Sequence, residues 1–319
     1  MELSMKILFA APEKARGGLL DMLREELPEH QVDATGAFRI DSLKGYDVVI
    51  PCIAPVTAEL IIDADRLKLI QQGGAGLDSV NLDAAKAHNI KIANVPTDLS
   101  GASDSVAELG IYFMLGLLRD YKSMTENLTN RKMGEPLGKT LMGRTVGIVG
   151  LGSIGRAVAR RLKNFDVRLI GIKQSNPEEA MQELGLDWAG GPEDLPILLE
   201  QSDFVVLCLP LTEKSNLMMN KSAFNSMKRD SFLINLSRGG LVDRPALEDA
   251  LDSGKIAGAG LDVFWEEPPD PADPIFNYNV IAAPHIGDVT DTAIKGIVKA
   301  VAENIRRVER KEFPLNCIN

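Results

Sequence analysis

The chain has 319 residues, 45% of them hydrophobic and 25% charged, an ordinary composition for a globular protein and enough length for two domains. A formal net charge of −10 argues against a nucleic-acid or anionic-membrane partner, because neutralising phosphates requires clustered Lys and Arg. Any anionic substrate must therefore find a local positive site. Cys52, Cys208 and Cys317 lie far apart without CxxC spacing, so neither a disulfide framework nor a thiolate metal site is expected. The N-terminus has no basic leader and no long apolar span, which gives the expectation of a cytoplasmic protein.

In chain order, residues 6–10, 47–50, 68–71 and 90–93 read as strands, with amphipathic helical segments at 16–27 and 82–88 between them. A second set of strands is expected at 146–149, 167–172, 204–207, 232–235, 259–263 and 280–282. These are almost wholly apolar, as strands covered on both faces should be. Long helical patterns run from Asp104 to about Leu128 and from Asp291 to about Arg310. The first follows Thr97-Asp98-Leu99-Ser100-Gly101, a cluster of capping and breaking residues. Strands alternating with helices give a parallel sheet. The expected fold is α/β, with two Rossmann-like doubly wound domains. A dinucleotide-binding domain over residues 101–286 is inserted into a flavodoxin-like substrate domain formed by 1–100 and 287–319. The Pro-rich run from Glu266 to Pro274 reads as a turn-laden loop.

One glycine pattern has the context that gives it meaning. Gly150-Leu151-Gly152-Ser153-Ile154-Gly155 follows the apolar strand 146–149 and opens an apolar helix at 154–162. Gly150 permits the tight turn, Gly152 lets backbone approach a pyrophosphate, and Gly155 allows close helix packing. The helix start at Ser153 and Ile154 then favours the anion. An NAD site usually carries an acidic residue about 20 positions further on, where it bonds the ribose hydroxyls. Here the strand 167–172 ends in Lys173, followed by Gln174, Ser175 and Asn176. Either this cation pairs with a 2′-phosphate, which favours NADP over NAD, or it is a solvated loop lysine.

Downstream stand Arg238, Glu267 and His285, each inside its own local motif. The ordered set Gly73-Gly74-Ala75-Gly76-Leu77-Asp78, Ser105-Val106-Ala107-Glu108, the glycine fingerprint, Asn235-Leu236-Ser237-Arg238-Gly239-Gly240-Leu241-Val242-Asp243, Gly260-Leu261-Asp262-Val263-Phe264, Glu267-Pro268 and Pro284-His285-Ile286-Gly287 resembles the D-isomer-specific 2-hydroxyacid dehydrogenases. That family includes glyoxylate and hydroxypyruvate reductases and 3-phosphoglycerate dehydrogenase. The likeness covers nearly the whole chain.

The resemblance implies an NAD(P)-dependent oxidoreductase that moves a hydride between nicotinamide and a small 2-oxo or 2-hydroxy acid, in a cleft between the domains. Arg238 matches the arginine that holds substrate carboxylate and keto oxygen, a task suited to a planar fork. His285 matches the general acid and base, and Glu267 the carboxylate that stabilises its imidazolium. Glu266 is expected to be solvated, and His30 and His88, in polar surroundings, are expected at the surface. The amides of Gly74, Ala75, Gly76 and Leu77 match a carboxylate-binding nest. Leu209 and Pro210 match a wall against the cofactor. Asp262 either orients the nicotinamide carboxamide or makes a local turn bond. Trp265 either shapes the substrate pocket or packs under the Pro-rich loop.

No metal is expected, since Arg238 supplies the electrophilic contact and no metal-binding motif is present. The preferred substrates are glyoxylate, hydroxypyruvate or a related short acid. A 3-phosphoglycerate dehydrogenase-like enzyme without a regulatory domain is the alternative. From another class, a nucleotide-sensing co-repressor keeps the same fold. Formate dehydrogenases carry Gln where Glu267 stands, which argues against that group. The family also implies a homodimer, and residues 105–128 are either its contact helix or, over the apolar stretch 111–115, interior core.

Overall fold

The computed structural model describes residues 4–319, which divide into two units. One contains the chain up to Ala102 together with Asp288–Asn319, and the other is Ser103–Gly287.

The first unit is built on strands β1 (Lys6–Phe9), β2 (Gln31–Ala34), β3 (Val48–Ile50), β4 (Leu69–Gln71) and β5 (Lys91–Ala93). All pairings are parallel, in the order β2-β1-β3-β4-β5, which is the flavodoxin-like winding. Helices Leu19–Glu26 and Asp291–Glu309 pack their apolar sides on one face, with Leu20, Leu23, Ile294, Ile297 and Val301 joining Ile7, Phe9 and Val48 in one core. Ile70, Ile92, Val49 and Ala85 lie in a second core.

Asp47, fully buried at the start of β3, ties this sheet together. Its carboxylate accepts from the Lys6 amide at 3.0 Å, from Arg66 Nε at 3.1 Å and from Arg66 Nη2 at 2.5 Å, and pairs with Lys68 Nζ at 3.0 Å. Burial alone would push its pKa up. The Lys6 amide, Arg66 and Lys68 outweigh burial and hold the carboxyl below its ordinary value. A depressed folded-state pKa means stabilisation that is complete above the unfolded value, about 3.9, and is lost as pH falls through the folded value. Asp47→Asn is therefore expected to cost about 1.5 to 3 kcal/mol at pH 7. The difference from the parent should shrink once pH drops below about 4. Denaturant titrations at the two pH values check this, and an equal deficit at both would detach the stabilisation from the charge.

The second unit carries β6 (Thr145–Val149), β7 (Arg168–Ile172), β8 (Trp188–Gly190), β9 (Phe204–Leu207), β10 (Ser231–Asn235), β11 (Ile256–Leu261) and β12 (Val280–Ala282). Their parallel order is β12-β11-β10-β9-β6-β7-β8. Read from β8, this is the 3-2-1-4-5-6 Rossmann winding with one strand added. Two cores cover its faces, one around Ile148, Phe204 and Ile234, the other around Val149, Leu207, Leu233 and Leu261.

Three sequence expectations need correction. The edge strands β2 and β8 were not anticipated, because their mixed residues lack the continuous apolar run of the central strands. The helix expected from Asp104 to Leu128 is two helices, Ala102–Leu118 and Tyr121–Thr129. Asp120 breaks them apart with φ 51°, and its carboxylate accepts from the Ser123 amide to start the second. His88 is exposed as expected, but the His30 side chain is wholly buried, with Glu29 and Glu309 beside it.

Candidate active site

In a doubly wound sheet, ligands bind outside the carboxyl ends of the strands where the strand order reverses. In the second unit that point lies between β6 and β9. Gly150 follows β6 with φ 99°, and a Cβ on it would lie 2.7 Å from Cys208 O and 2.8 Å from Leu209 Cβ. The turn is thus pressed against the segment leaving β9. On Gly155 a Cβ would fall 2.0 Å from Gly150 O, so only glycine lets helix Ser153–Leu162 start this close to the turn.

Gly152 differs from both. Its φ of −79° suits any residue, and a Cβ there would meet no protein atom within 4 Å. Nothing in the protein's own packing requires glycine at 152, whereas a bulky anion approaching the backbone does. No side chain caps the helix, so the amides of its first turn remain for that anion. These residues fit the pyrophosphate of a dinucleotide.

Lys173 is the first residue after β7, half-buried, with its amide donating to Gly190 O at 3.0 Å. Its ammonium forms no ion pair among the described residues, and Gln174, Ser175 and Asn176 beside it are exposed. Leu209 and Pro210 follow β9. Leu209 O accepts from Ser237 Oγ, and Pro210 O accepts from Ser215 Oγ at 2.8 Å.

Arg238, Glu267 and His285 come together in the same unit. Arg238 lies three residues beyond β10, in a turn that Asn235 braces: its side-chain amide donates to Arg238 O at 2.8 Å and its oxygen accepts from the Ser237 amide at 3.1 Å. Arg238 Nη1 donates to Ser237 O at 2.7 Å. A Cβ on Gly239 would lie 2.1 Å from Phe264 O and 2.6 Å from Trp265 N, so the arginine turn rests directly on the backbone that leads to Glu267. Glu267 Oε1 accepts from the Phe264 amide at 3.0 Å, and Oε2 lies 2.7 Å from His285 Nδ1. Burial raises the Glu267 pKa. The hydrogen bond and charge of His285, the Phe264 amide and the charge of Arg238 together outweigh that and lower it below the ordinary value. Glu266 is exposed.

His285 has φ 53° and donates its amide to Asp262 O at 2.9 Å. Asp262, only 2% exposed, takes the amides of Ile286 at 2.8 Å and Gly287 at 2.9 Å on its two carboxylate oxygens. It therefore fixes the backbone carrying the imidazole, which is the local bonding that a short acidic residue at a strand end permits. Ser105 Oγ donates to Gly287 O at 2.5 Å and holds the same loop from the other side. In the sequence, Ser105 and Asn235 stand only as members of their motifs. Their signal was a short polar residue among apolar neighbours at an element end.

In the first unit, Gly74, Ala75, Gly76 and Leu77 follow β4. The carbonyls of Gly74 and Ala75 accept from the Val95 amide at 3.1 Å and from Asn94 Nδ2 at 2.8 Å. The amides of residues 74–77 donate to no protein acceptor among the described residues.

A parallel sheet with a glycine turn at its switch point, followed by an arginine, a carboxylate and an imidazole on successive strand ends, defines a nicotinamide-dependent oxidoreductase. Residues 111–287 match the family model "D-isomer specific 2-hydroxyacid dehydrogenase, NAD binding domain". The chain is 36% identical over 301 residues to a D-3-phosphoglycerate dehydrogenase of Methanocaldococcus jannaschii, spanning 92% of this chain and 56% of that protein. It is 34% identical over 308 residues to a glyoxylate reductase of Korarchaeum cryptofilum, spanning 94% and 89%. The apo structure of D-lactate dehydrogenase from Escherichia coli matches with a TM-score of 0.83 at 26% identity, covering 99% of this chain and all of that one. The protein belongs to the D-isomer-specific 2-hydroxyacid dehydrogenase family. Among the described residues no helix is long and apolar enough to cross a membrane.

Proposed function

We propose that this enzyme reduces short 2-oxo acids of the glyoxylate or hydroxypyruvate type to D-2-hydroxy acids, with NADPH preferred to NADH. The observation that carries the reading is the 2.7 Å bond between His285 and Glu267, made beside the Arg238 turn. The relatedness to a glyoxylate reductase over most of both chains supports the substrate class. Residues of the 103–287 unit would hold the dinucleotide, whose nicotinamide would supply the hydride. Arg238 lays its fork on the substrate carboxylate and keto oxygen, and the amides of Gly74, Ala75, Gly76 and Leu77, without a protein acceptor among the described residues, are a nest suited to a carboxylate. His285 donates the proton from Nε2 to the oxygen that becomes the hydroxyl. Glu267 favours the imidazolium that does so. Asp262 keeps the His285 loop in place and would orient the nicotinamide carboxamide only through the backbone it holds.

Turnover with a panel of 2-oxo acids tests this. Rapid NADPH oxidation by glyoxylate or hydroxypyruvate is expected. Tight cofactor binding without turnover would instead make the chain a nucleotide sensor, and a demand for 3-phosphohydroxypyruvate would make it phosphoglycerate dehydrogenase-like.

The NADPH preference rests on Lys173, with Gln174, Ser175 and Asn176 beside it, at the position where an acidic residue would bond the ribose. A charge-assisted contact with a 2′-phosphate is worth about 1.5 to 3 kcal/mol, or roughly ten- to hundredfold in affinity. Lys173→Asp is expected to reverse or abolish the preference. Ratios of kcat/KM for the two cofactors read it out, and an unchanged ratio in the variant makes Lys173 a bystander.

The enzyme is expected to act as a homodimer. Beyond the helix ending at Thr129, Met133 is 85% and Leu137 98% exposed, apolar surface of the kind a second copy covers. Light scattering should give twice the chain mass. The three free thiols suit a cytoplasmic location.

A further inference from the structure

Trp265 lies between two parts of the site that the sequence keeps well apart. Its indole Nε1–H donates to Val242 O at 2.7 Å, at the far end of the turn that begins with Arg238. Its own backbone precedes Glu267 by two residues and is the stretch on which Gly239 rests. On its other side the Arg238 turn is held by a separate brace, in which the amides of Leu217 and Met219 donate to Gly240 O and Leu241 O at 2.9 and 3.0 Å. That brace fixes the turn to the segment after β9 but has no connection to Glu267. The indole bond and the Gly239 contact join the turn to the glutamate segment.

The ring is itself held. The Arg244 guanidinium lies 5.6 Å from its centroid and pairs with Glu248 at 2.9 Å and Asp273 at 2.7 Å. Asp273 sits at the end of the loop that Glu267 opens, so Arg244 and Trp265 bracket residues 266–272. Phe264 stands edge-on to Phe276, with centroids 5.8 Å apart. A merely space-filling hydrophobe would need none of this polar anchoring.

We propose that Trp265 is a positioning residue that holds the Arg238 turn and the Glu267–His285 pair in one fixed relation through its indole N–H. This rests on the proposed roles of Arg238, Glu267 and His285. Losing one neutral hydrogen bond of about 1 kcal/mol corresponds to roughly fivefold. Here one substitution displaces two functional groups at once.

The test compares Trp265→Phe, which keeps an aromatic ring but loses the donor, with Trp265→His, whose Nε2–H occupies the same position in the five-membered ring. With Trp265→Phe, KM for the 2-oxo acid should rise about fivefold or more, kcat should fall, and the alkaline limb of reduction should move to lower pH. Cofactor Kd should stay within twofold. Trp265→His should restore KM towards the parent value. If Trp265→Phe lowers only Tm, or weakens cofactor and substrate binding equally, or Trp265→His behaves like Trp265→Phe, the inference fails. Should Trp265→Phe not fold, the His variant alone decides: a substrate KM near the parent's supports the role, and one raised fivefold or more overturns it. His285→Ala, run alongside, separates the two levels. Inactivity of that variant with an unaffected Trp265→Phe enzyme refutes the positioning role alone, whereas parental turnover by His285→Ala removes the underlying reading and this inference with it.

Discussion

Replacing His285 with Ala is expected to lower turnover of the 2-oxo acid by roughly 10² to 10⁴ while leaving cofactor affinity nearly unchanged, the usual worth of a well-placed general acid. The geometry fits that role: Nδ1 is committed to Glu267 Oε2 at 2.7 Å, which leaves Nε2 without a protein partner among the described residues. Reduction consumes one proton, so the parent rate should fall as pH rises. Oxidation of the hydroxy acid should show the opposite dependence. The His285→Ala enzyme should lose that limb as well as its rate. Because His285 contributes only its amide to the surrounding loop, which Asp262 and Ser105 hold independently, the substitution should not unfold it. An alanine variant turning over at close to the parent rate, with the same pH profile, would take the acid–base role away from His285.

Much of this was legible in the sequence, and the reasons are specific. Strands β6, β9 and β10 are covered on both faces, so TVGIV, FVVL and SFLIN announce themselves as short apolar runs between helical patterns. The glycine turn was legible because a positive φ and close approach exclude a side chain at Gly150, and close approach alone excludes one at Gly155. The edge strands β2 and β8 were not. QVDA and WAG are half-covered at best, and neither shows apolar continuity or clean alternation. His30 illustrates a deeper limit: its neighbours in sequence are polar, and the group that closes over it, Glu309, belongs to the far end of the chain. No local pattern reports burial imposed from such a distance.

The candidate site divides in the same way. Identities were visible because each residue sits in a compact motif, but relations were not. Nothing in the sequence says that the two oxygens of Asp262 take the amides of Ile286 and Gly287, or that Gly239 must be bare because Phe264 O crosses it. These contacts join the ends of β10, β11 and β12, strands adjacent in the sheet, and only the register of that sheet creates them. Trp265 was equally ambiguous as pocket or packing, until its N–H was found on Val242 O.

The conservative substitution Arg238→Lys is expected to be nearly as damaging as removing the imidazole. A lysine keeps the positive charge, so a role limited to long-range attraction of an anionic substrate would survive it. The proposed site gives the guanidinium a narrower task. Nη1 is tied to Ser237 O at 2.7 Å, within a turn clamped by Asn235 on one side and by the Phe264 backbone on the other. A planar fork oriented in this way can hold carboxylate and keto oxygen together, whereas an ammonium on a flexible stem offers a point charge and cannot satisfy both in plane. Binding of the carboxylate is present in the ground state, but charge on the keto oxygen grows only towards the transition state. Loss of the fork should therefore raise KM and lower kcat together. Removing a preorganised donor at a developing oxyanion costs about 10² to 10³ in kcat, and a fall of at least that size in kcat/KM is expected for Arg238→Lys. Cofactor affinity should be unchanged, because the dinucleotide turn at Gly150 belongs to a different strand end. Steady-state kinetics at saturating cofactor measure both constants. A lysine enzyme within tenfold of the parent in kcat/KM would show that charge alone suffices at position 238.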